Sequence, residues 1–127
     1  MNIRQEILNL NLPKDSFIVV GSGILGALGI RESNDIDMIV TQSVFDLLDR
    51  SGWKHGNWVD QVVLQKGLFD IGTLWMGKTL DGLIKDATII GGIPYLSLDD
   101  LLTWKREKLR PKDIRDVELI LAFKEIA

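Results

Sequence analysis

The sequence of 127 residues contains no cysteine and only one histidine, His55. The absence of cysteine excludes disulfides, thiolate metal sites and cysteine nucleophiles. A single histidine cannot build a histidine-based zinc site, and it argues against a Ser-His-Asp mechanism. We therefore expect any bound metal to be a hard cation held by carboxylates.

Long apolar runs and an overall basic excess are also missing. The first 13 residues lack a positively charged stretch followed by an apolar one, so we expect no signal peptide. No apolar run is long enough to cross a bilayer, and we expect a cytoplasmic protein without a membrane partner. The net charge of −3 argues against a dedicated DNA-binding protein. Residues 104–115 nevertheless carry six Lys or Arg against two acids, a local excess of +4.

The composition is that of an ordinary globular domain, with 46% hydrophobic and 26% charged residues. A chain of this length can bury a sizeable core without disulfides or structural metals. We predict a single domain over residues 1–127, with a core over 14–96 and C-terminal helices over 97–127.

Strand-like and helix-like segments alternate along the chain, which predicts an α/β or α+β domain with a mixed sheet flanked by helices. The predicted helices lie at 2–10, 24–30, 43–52, 97–109 and 112–127, with 77–86 as helix or loop. The predicted strands lie at 16–21, 35–40 and 87–90, with β structure between Trp53 and Trp75. Ser43 and Ser97 are candidate N-caps, "KG" at 66–67 is a candidate hairpin turn, and Gly91-Gly92 with Pro94 is a candidate tight turn.

Gly21, Gly23 and Gly26 spell G-x-G-x-x-G, the letters of a dinucleotide-binding turn. That fold needs a full helix after the glycines and then an acid at the far end of the next strand. Only eight residues separate Gly26 from Asp35, and the acids open the strand instead of closing it. A dinucleotide-binding oxidoreductase is therefore the lesser alternative, and Gly23 and Gly26 are interpreted as incidental features of a short helix.

Asp35 and Asp37 open a strand that follows the Gly21-Ser22 turn by twelve residues. Residues two apart on a strand point to the same face, so both carboxylates project together. Two carboxylates so close repel each other unless a cation lies between them. Mg²⁺ commonly takes one or two protein carboxylates together with substrate phosphates. The pattern predicts a phosphate and metal site.

The segments "VGS" at 20–22 and "DIDM" at 35–38 resemble the first motif of the nucleotidyltransferase superfamily, which has the DNA polymerase β-like fold. Members of this superfamily carry a third carboxylate on a later neighbouring strand. Asp70 in "LFDIGTLW" is the first candidate for that acid, and Asp60 in "WVDQVVLQ" is the second.

The C-terminal stretch "YLSLDDLLTWKREKLRPKDIRDVELI" resembles the small AbiEii-type toxin and antibiotic nucleotidyltransferases. Those proteins have a helix carrying a lysine, then a turn, then a helix that starts with a "KDxxD"-like motif. Lys105 matches the helix lysine, and Lys112, Asp113 and Asp116 match the second motif.

The resemblance implies transfer of a nucleoside monophosphate from an NTP to a hydroxyl acceptor, with release of pyrophosphate. Asp35, Asp37 and Asp70 would be the catalytic acids and would hold two Mg²⁺ ions. The nucleotide-binding residues implied are Gly21, Ser22, Lys105, Lys108 and Asp113. The acceptor is a small molecule, an RNA or a protein, and a second subunit or a partner would supply part of its site. The partners expected are a second copy of the chain or an antitoxin-type protein. The main alternative is a non-catalytic nucleotide-binding or toxin–antitoxin-type interaction protein.

Overall fold

The computed structural model describes residues 2–126, which form one mixed sheet and the helices that flank it. The strands are β1 (Phe17–Val20), β2 (Ile36–Val40), β3 (Lys54–Trp58), β4 (Gln61–Lys66), β5 (Phe69–Gly72), β6 (Thr88–Ile90) and β7 (Ile93–Tyr95). The helices are α1 (Ile3–Asn9), α2 (Gly23–Ala27), α3 (Gln42–Arg50), α4 (Leu80–Ile84), α5 (Leu98–Lys108) and α6 (Pro111–Ile126). The predicted mixed sheet with flanking helices is confirmed.

The seven strands are ordered β3-β4-β5-β2-β1-β7-β6 across the sheet. Strand β2 pairs in parallel with β5, and β1 pairs in parallel with β7. The other neighbours, including β1 and β2, are antiparallel. A dinucleotide-binding unit requires two parallel strands joined by a helix, so the β1-α2-β2 segment does not have that architecture.

The centre of the sheet is apolar because β1, β2 and β5 are covered on both sides. Their residues include Ile18, Met38 and Ile71, each with 0% exposure. Near-continuous apolar sequence is typical of strands buried on both faces. Asp37 and Asp70 interrupt this apolar pattern on β2 and β5, and both are half-buried.

Two helix starts test the capping predictions. Ser97 caps α5, since its hydroxyl accepts a hydrogen bond of 3.1 Å from the Asp100 N–H. The predicted cap Ser43 is wrong, because α3 begins one residue earlier, at Gln42. The Thr41 hydroxyl accepts from the Val44 N–H at 3.3 Å and is the cap instead.

Gly23 and Gly26 prove to be required by close packing, which corrects their interpretation as incidental. A Cβ on Gly23 would lie 2.5 Å from Cγ1 of Val19, and a Cβ on Gly26 would lie 2.9 Å from Cδ1 of Ile3. Real Cβ atoms are essentially never found that close to another heavy atom. These two glycines therefore let α2 lie against β1 and α1.

Strand β7, between β1 and the edge strand β6, was not predicted from the sequence. Gly91 and Gly92, both with positive φ, form the turn of a hairpin between β6 and β7. Pro94, predicted to belong to the turn, lies within β7, where the neighbouring Tyr95 aligns with Val19 of β1.

Candidate functional site

The turn after β1 brings backbone close to a carboxylate. Gly21 has φ +62°, and a Cβ at this position would lie 2.9 Å from Oδ2 of Asp37. Any other residue would both strain the backbone and crowd that carboxylate. Ser22 follows at the N-cap of α2, and its side chain makes no capping hydrogen bond. The turn thus presents a hydroxyl beside the acid-bearing end of β2.

Three carboxylates meet at this point of the sheet. Asp37 aligns with Asp70 across the parallel β2–β5 pair, so the two side chains share one face. Asp35 precedes β2 by one residue and is exposed. We call Asp35, Asp37 and Asp70 the acid group. Asp60, the other candidate third acid, lies in the turn between β3 and β4, two strands away from β2.

The acid group is electrostatically unfavourable by itself. The pKa of Asp37 is raised from 3.8 to about 6, mainly by burial and in addition by the charges of Asp70 and Asp35. Lys112, at the start of α6, is the charge that acts in the opposite sense. Among the sequence-predicted acids, the structure therefore brings Asp35, Asp37 and Asp70 within electrostatic reach of one another.

Carboxylate oxygens are the ligands that Mg²⁺ prefers, and the acid group supplies them without any soft ligand. The absence of a side chain at Gly21 lets the backbone approach the Asp37 carboxylate, where a Cβ would clash. In residues 2–126, no three His, Asp or Glu side chains are already arranged to hold a metal ion. The acid group thus fits a Mg²⁺ site by donor type, and its side chains would adjust on binding.

A cleft of about 960 Å³ opens at the acid group, a volume within the range of small-molecule sites. It is lined at one end by Gly21, Ser22, Asp35, Asp37 and Lys112, and elsewhere by residues from β3, β4, α5 and the loop after β5. Of the predicted nucleotide-binding residues, Lys105 and Lys108 also line it, whereas Asp113 does not. Asp70 lies beside Asp37 without lining the cleft.

Lys105 and Asp113 belong to a buried ion-pair network. The Lys105 ammonium lies 3.2 Å from Oδ1 of Asp113 and 2.8 Å from Oδ2 of Asp116. Arg31, which precedes the acid pair, donates to both oxygens of Asp116 at 2.7 and 2.8 Å, and Arg110 donates to Asp113. We call these five residues the C-terminal ion-pair network.

The network holds its carboxylates in the charged state. Burial acts to raise the pKa of Asp113, but hydrogen bonds from Arg110 and Lys105 outweigh it and lower that pKa below 3.8. Burial is likewise outweighed at Asp116, whose pKa is lowered by hydrogen bonds from Arg31 and Lys105. The Lys105 ammonium is thus occupied by two carboxylates, and its nucleotide-binding role, like that of Asp113, stays a prediction.

Several cleft features were not predicted as functional. Lys112 was noted only as part of the C-terminal motif, although it is exposed, lines the cleft and acts on Asp37. Arg31 was not singled out, although it ties the loop before β2 to α6. The position of Lys112 directly before Asp113, in the C-terminal motif, could have indicated a functional role. No local sequence pattern indicates such a role for Arg31.

The comparisons with known proteins add no assignment. No protein-family model, curated protein or solved structure matches the chain. Within the residues described, no helix is long and apolar enough to span a bilayer.

Proposed function

We propose that this protein has the polymerase β-like fold and is a nucleotidyltransferase, which transfers a nucleoside monophosphate from an NTP to an acceptor hydroxyl. The observation that carries the proposal is the register of Asp37 with Asp70 beside the Gly21 turn. Three carboxylates that repel one another, two of which line the cleft, favour a site that works with a cation bound. Two Mg²⁺ ions held by Asp35, Asp37 and Asp70 would supply charge neutralisation and orientation of the phosphates.

The roles of the chain's own groups follow from their positions. The Gly21 backbone and the Ser22 hydroxyl face the phosphates, because the turn lies open at the cleft. Lys112 neutralises negative charge there, since it is exposed and has no ion-pair partner among residues 2–126. Lys105 instead positions α6 through its ion pairs with Asp113 and Asp116. Because Lys112 belongs to the same helix, these ion pairs also fix its position.

The reaction forms one bond and breaks another. The acceptor oxygen forms a bond to the α-phosphorus, while the bond from that phosphorus to the β-phosphate oxygen breaks. Pyrophosphate leaves with the electron pair of the broken bond. The proton of the acceptor hydroxyl passes to the acid group, of which Asp35 and Asp37 line the cleft and Asp70 lies beside Asp37 on the adjacent strand.

The test is label transfer from each of the four NTPs, carrying the label on the α-phosphate, in the presence of Mg²⁺. Acceptors are aminoglycosides, lincosamides, tRNA and the protein itself. We expect transfer by the wild type and a loss of about 10³-fold in Asp37→Asn, equivalent to several kcal/mol of transition-state stabilisation. Asp60→Asn is the matched control, because Asp60 lines the cleft outside the acid group.

Each other outcome points to a different function. Binding of Mg-NTP without transfer or release of pyrophosphate would support a nucleotide-binding or toxin–antitoxin-type interaction protein. Thermal stabilisation by NAD, with none by Mg-NTP, would support dinucleotide binding and overturn the proposal. A loss of transfer in Asp60→Asn, with transfer kept in Asp70→Asn, would make Asp60 the third acid.

A further inference from the structure

The cleft has a second end whose chemistry differs from that of the acid group. Three of the four tryptophans of the chain, Trp58, Trp75 and Trp104, line it together. We call them the aromatic wall. The exposed side chains of Val59 and Met76 lie at the same end. This part of the cleft is therefore suited to a flat apolar group.

The three rings contact one another in sequence. The centroids of Trp58 and Trp75 are 5.9 Å apart and edge-to-face, and those of Trp75 and Trp104 are 4.7 Å apart and tilted by 45°. Trp58 and Trp104, at the two ends of the trio, are only half-buried. Aromatic surface that stays open in a cleft can accept a further ring by stacking.

The wall lies on the same side of the sheet as the acid group. A Cβ on Gly72 would lie 3.1 Å from the ring of Trp58, so this ring passes over Gly72. Gly72 follows Asp70 by two residues on β5 and therefore shares its face, roughly 7 Å farther along the strand. The aromatic wall and the acid group therefore lie on one face of the sheet and line one cleft.

The backbone that carries Trp75 is held in place without a ligand. The Gln61 side chain donates to the Leu74 carbonyl at 2.7 Å and accepts from the Thr73 and Leu74 N–H groups. Trp75 and Lys78 then exchange two backbone hydrogen bonds of 2.9 and 3.0 Å. A wall fixed in this way loses little conformational entropy on binding a ring.

Trp75 also carries the one buried side-chain N or O atom in residues 2–126 that has no hydrogen-bond partner, its indole Nε1. Trp75 is 8% exposed. A buried donor without an acceptor is destabilising by about 1–3 kcal/mol, so such groups call for an explanation. The indole N–H is itself buried, so a ligand in the cleft would reach it only after a local rearrangement of the wall.

We propose that the aromatic wall, Trp58, Trp75 and Trp104, binds the nucleobase of the NTP. This proposal rests on the function proposed above. One ligand then spans both ends of the cleft, with its phosphates at the Gly21 turn and its base on the rings. The phosphate end supplies charge and the wall supplies stacking, so the two contributions to affinity are separable by experiment.

The test compares Mg-bound NTPs with Mg-tripolyphosphate, which has the phosphates and no base, by calorimetry and by tryptophan fluorescence. We expect at least one NTP to bind the wild type more tightly than tripolyphosphate. Trp104→Leu should weaken that NTP by about tenfold or more, the usual effect of losing a stacking platform, and leave tripolyphosphate unchanged. Trp53→Phe is the control, since Trp53 packs on Phe69 outside the cleft.

The outcomes separate this proposal from the one on which it rests. Equal affinity of the wild type for tripolyphosphate and every NTP, or unchanged NTP affinity in Trp104→Leu, would overturn the base site alone. Failure of the wild type to bind both kinds of ligand would overturn both proposals. If Trp104→Leu does not fold, Trp104→Phe decides instead, since its smaller ring should weaken only the NTP.

Discussion

Two groups of carboxylates lie beside the same cleft, one on the central strands and one at the C-terminal helices. In the acid group, Asp37 has a raised pKa of about 6 because burial and two neighbouring acids oppose its charge. In the C-terminal ion-pair network, Asp113 and Asp116 have lowered pKa values because three cations outweigh burial. Burial raises the pKa of the carboxylates in both groups, and the neighbouring charges decide the direction of the net shift.

The difference separates a stabilising role from a functional one. A buried carboxylate with hydrogen-bonded cations maintains the fold, and removing it leaves those cations unpaired. A half-buried carboxylate facing others destabilises the fold, and such strain is typical of sites that bind cations or move protons. Substitutions in the two groups should therefore change stability in opposite directions.

The largest expected effect is the loss of Asp116. Asp116→Ala leaves the buried Lys105 and the half-buried Arg31 without their shared partner, and the free energy of unfolding should fall by about 3–5 kcal/mol. Chemical denaturation at pH 7 measures this. The control is Asp99→Ala, which breaks a surface pair with Lys124 and should change stability by less than about 1 kcal/mol. Equal effects of the two variants would contradict the structural role of the network.

The next effect has the opposite sign. Asp37→Asn removes a charge that the folded state disfavours, so we expect the free energy of unfolding at pH 7.5 to rise by about 1–3 kcal/mol. The same variant should lose label transfer, so this one substitution should raise stability and lower activity. Denaturation without added Mg²⁺ is the measurement, since a bound cation would offset the repulsion. A variant less stable than the wild type would show that the acid group supports the fold.

The free energy of unfolding should depend on pH through both groups of carboxylates, with opposite signs. Asp37 has a folded pKa above its unfolded value of 3.8, so it binds its proton more tightly when folded. Its contribution makes stability fall as the pH rises from about 3.8 to about 6. Asp113 and Asp116 have folded pKa values below 3.8, so their stabilisation is present above that pH and lost as the pH falls further.

A comparison of Asp37→Asn with the wild type isolates the first contribution. The difference in unfolding free energy between the two proteins should grow from near zero below pH 4 to its full value above pH 6. Denaturation series between pH 3 and pH 7.5 measure the difference. A difference independent of pH would mean that the charge of Asp37 is not its cause.

The acid group was easier to predict from the sequence than the C-terminal ion-pair network. The acid group depends mostly on residues close together in the chain, whereas the network joins residues far apart. The acids at 35 and 37 share a face through the two-residue period of a strand, and the Gly21-Ser22 turn lies close before them in the chain. Both are local properties. That Asp70 would align with Asp37 depended on the order of the strands, and the resemblance to a family, not the local pattern, suggested it.

The network and the aromatic wall depend on tertiary packing. Arg31 and Asp116 are 85 residues apart, and no spacing rule connects them. The buried position of Lys105 likewise follows from α6 packing on α5, so its charge pattern in sequence was typical of an exposed helix face. The tryptophans at 58, 75 and 104 come from a strand, a loop and a helix, and no local spacing in the sequence groups them.

The smallest expected effect concerns the cation that connects the two groups. Lys112 belongs to the first turn of α6 next to Asp113, yet its charge lowers the pKa of Asp37. Lys112→Gln should therefore raise the apparent pKa of Asp37 from about 6 by less than about one unit, followed by NMR titration of the carboxyl carbon. Lys108→Gln is the matched control, because Lys108 lines the cleft without acting on Asp37, and it should leave that pKa unchanged. Equal shifts in both variants would mean that the cleft responds to net charge alone, and the assignment of Lys112 to the phosphate end would lose its support.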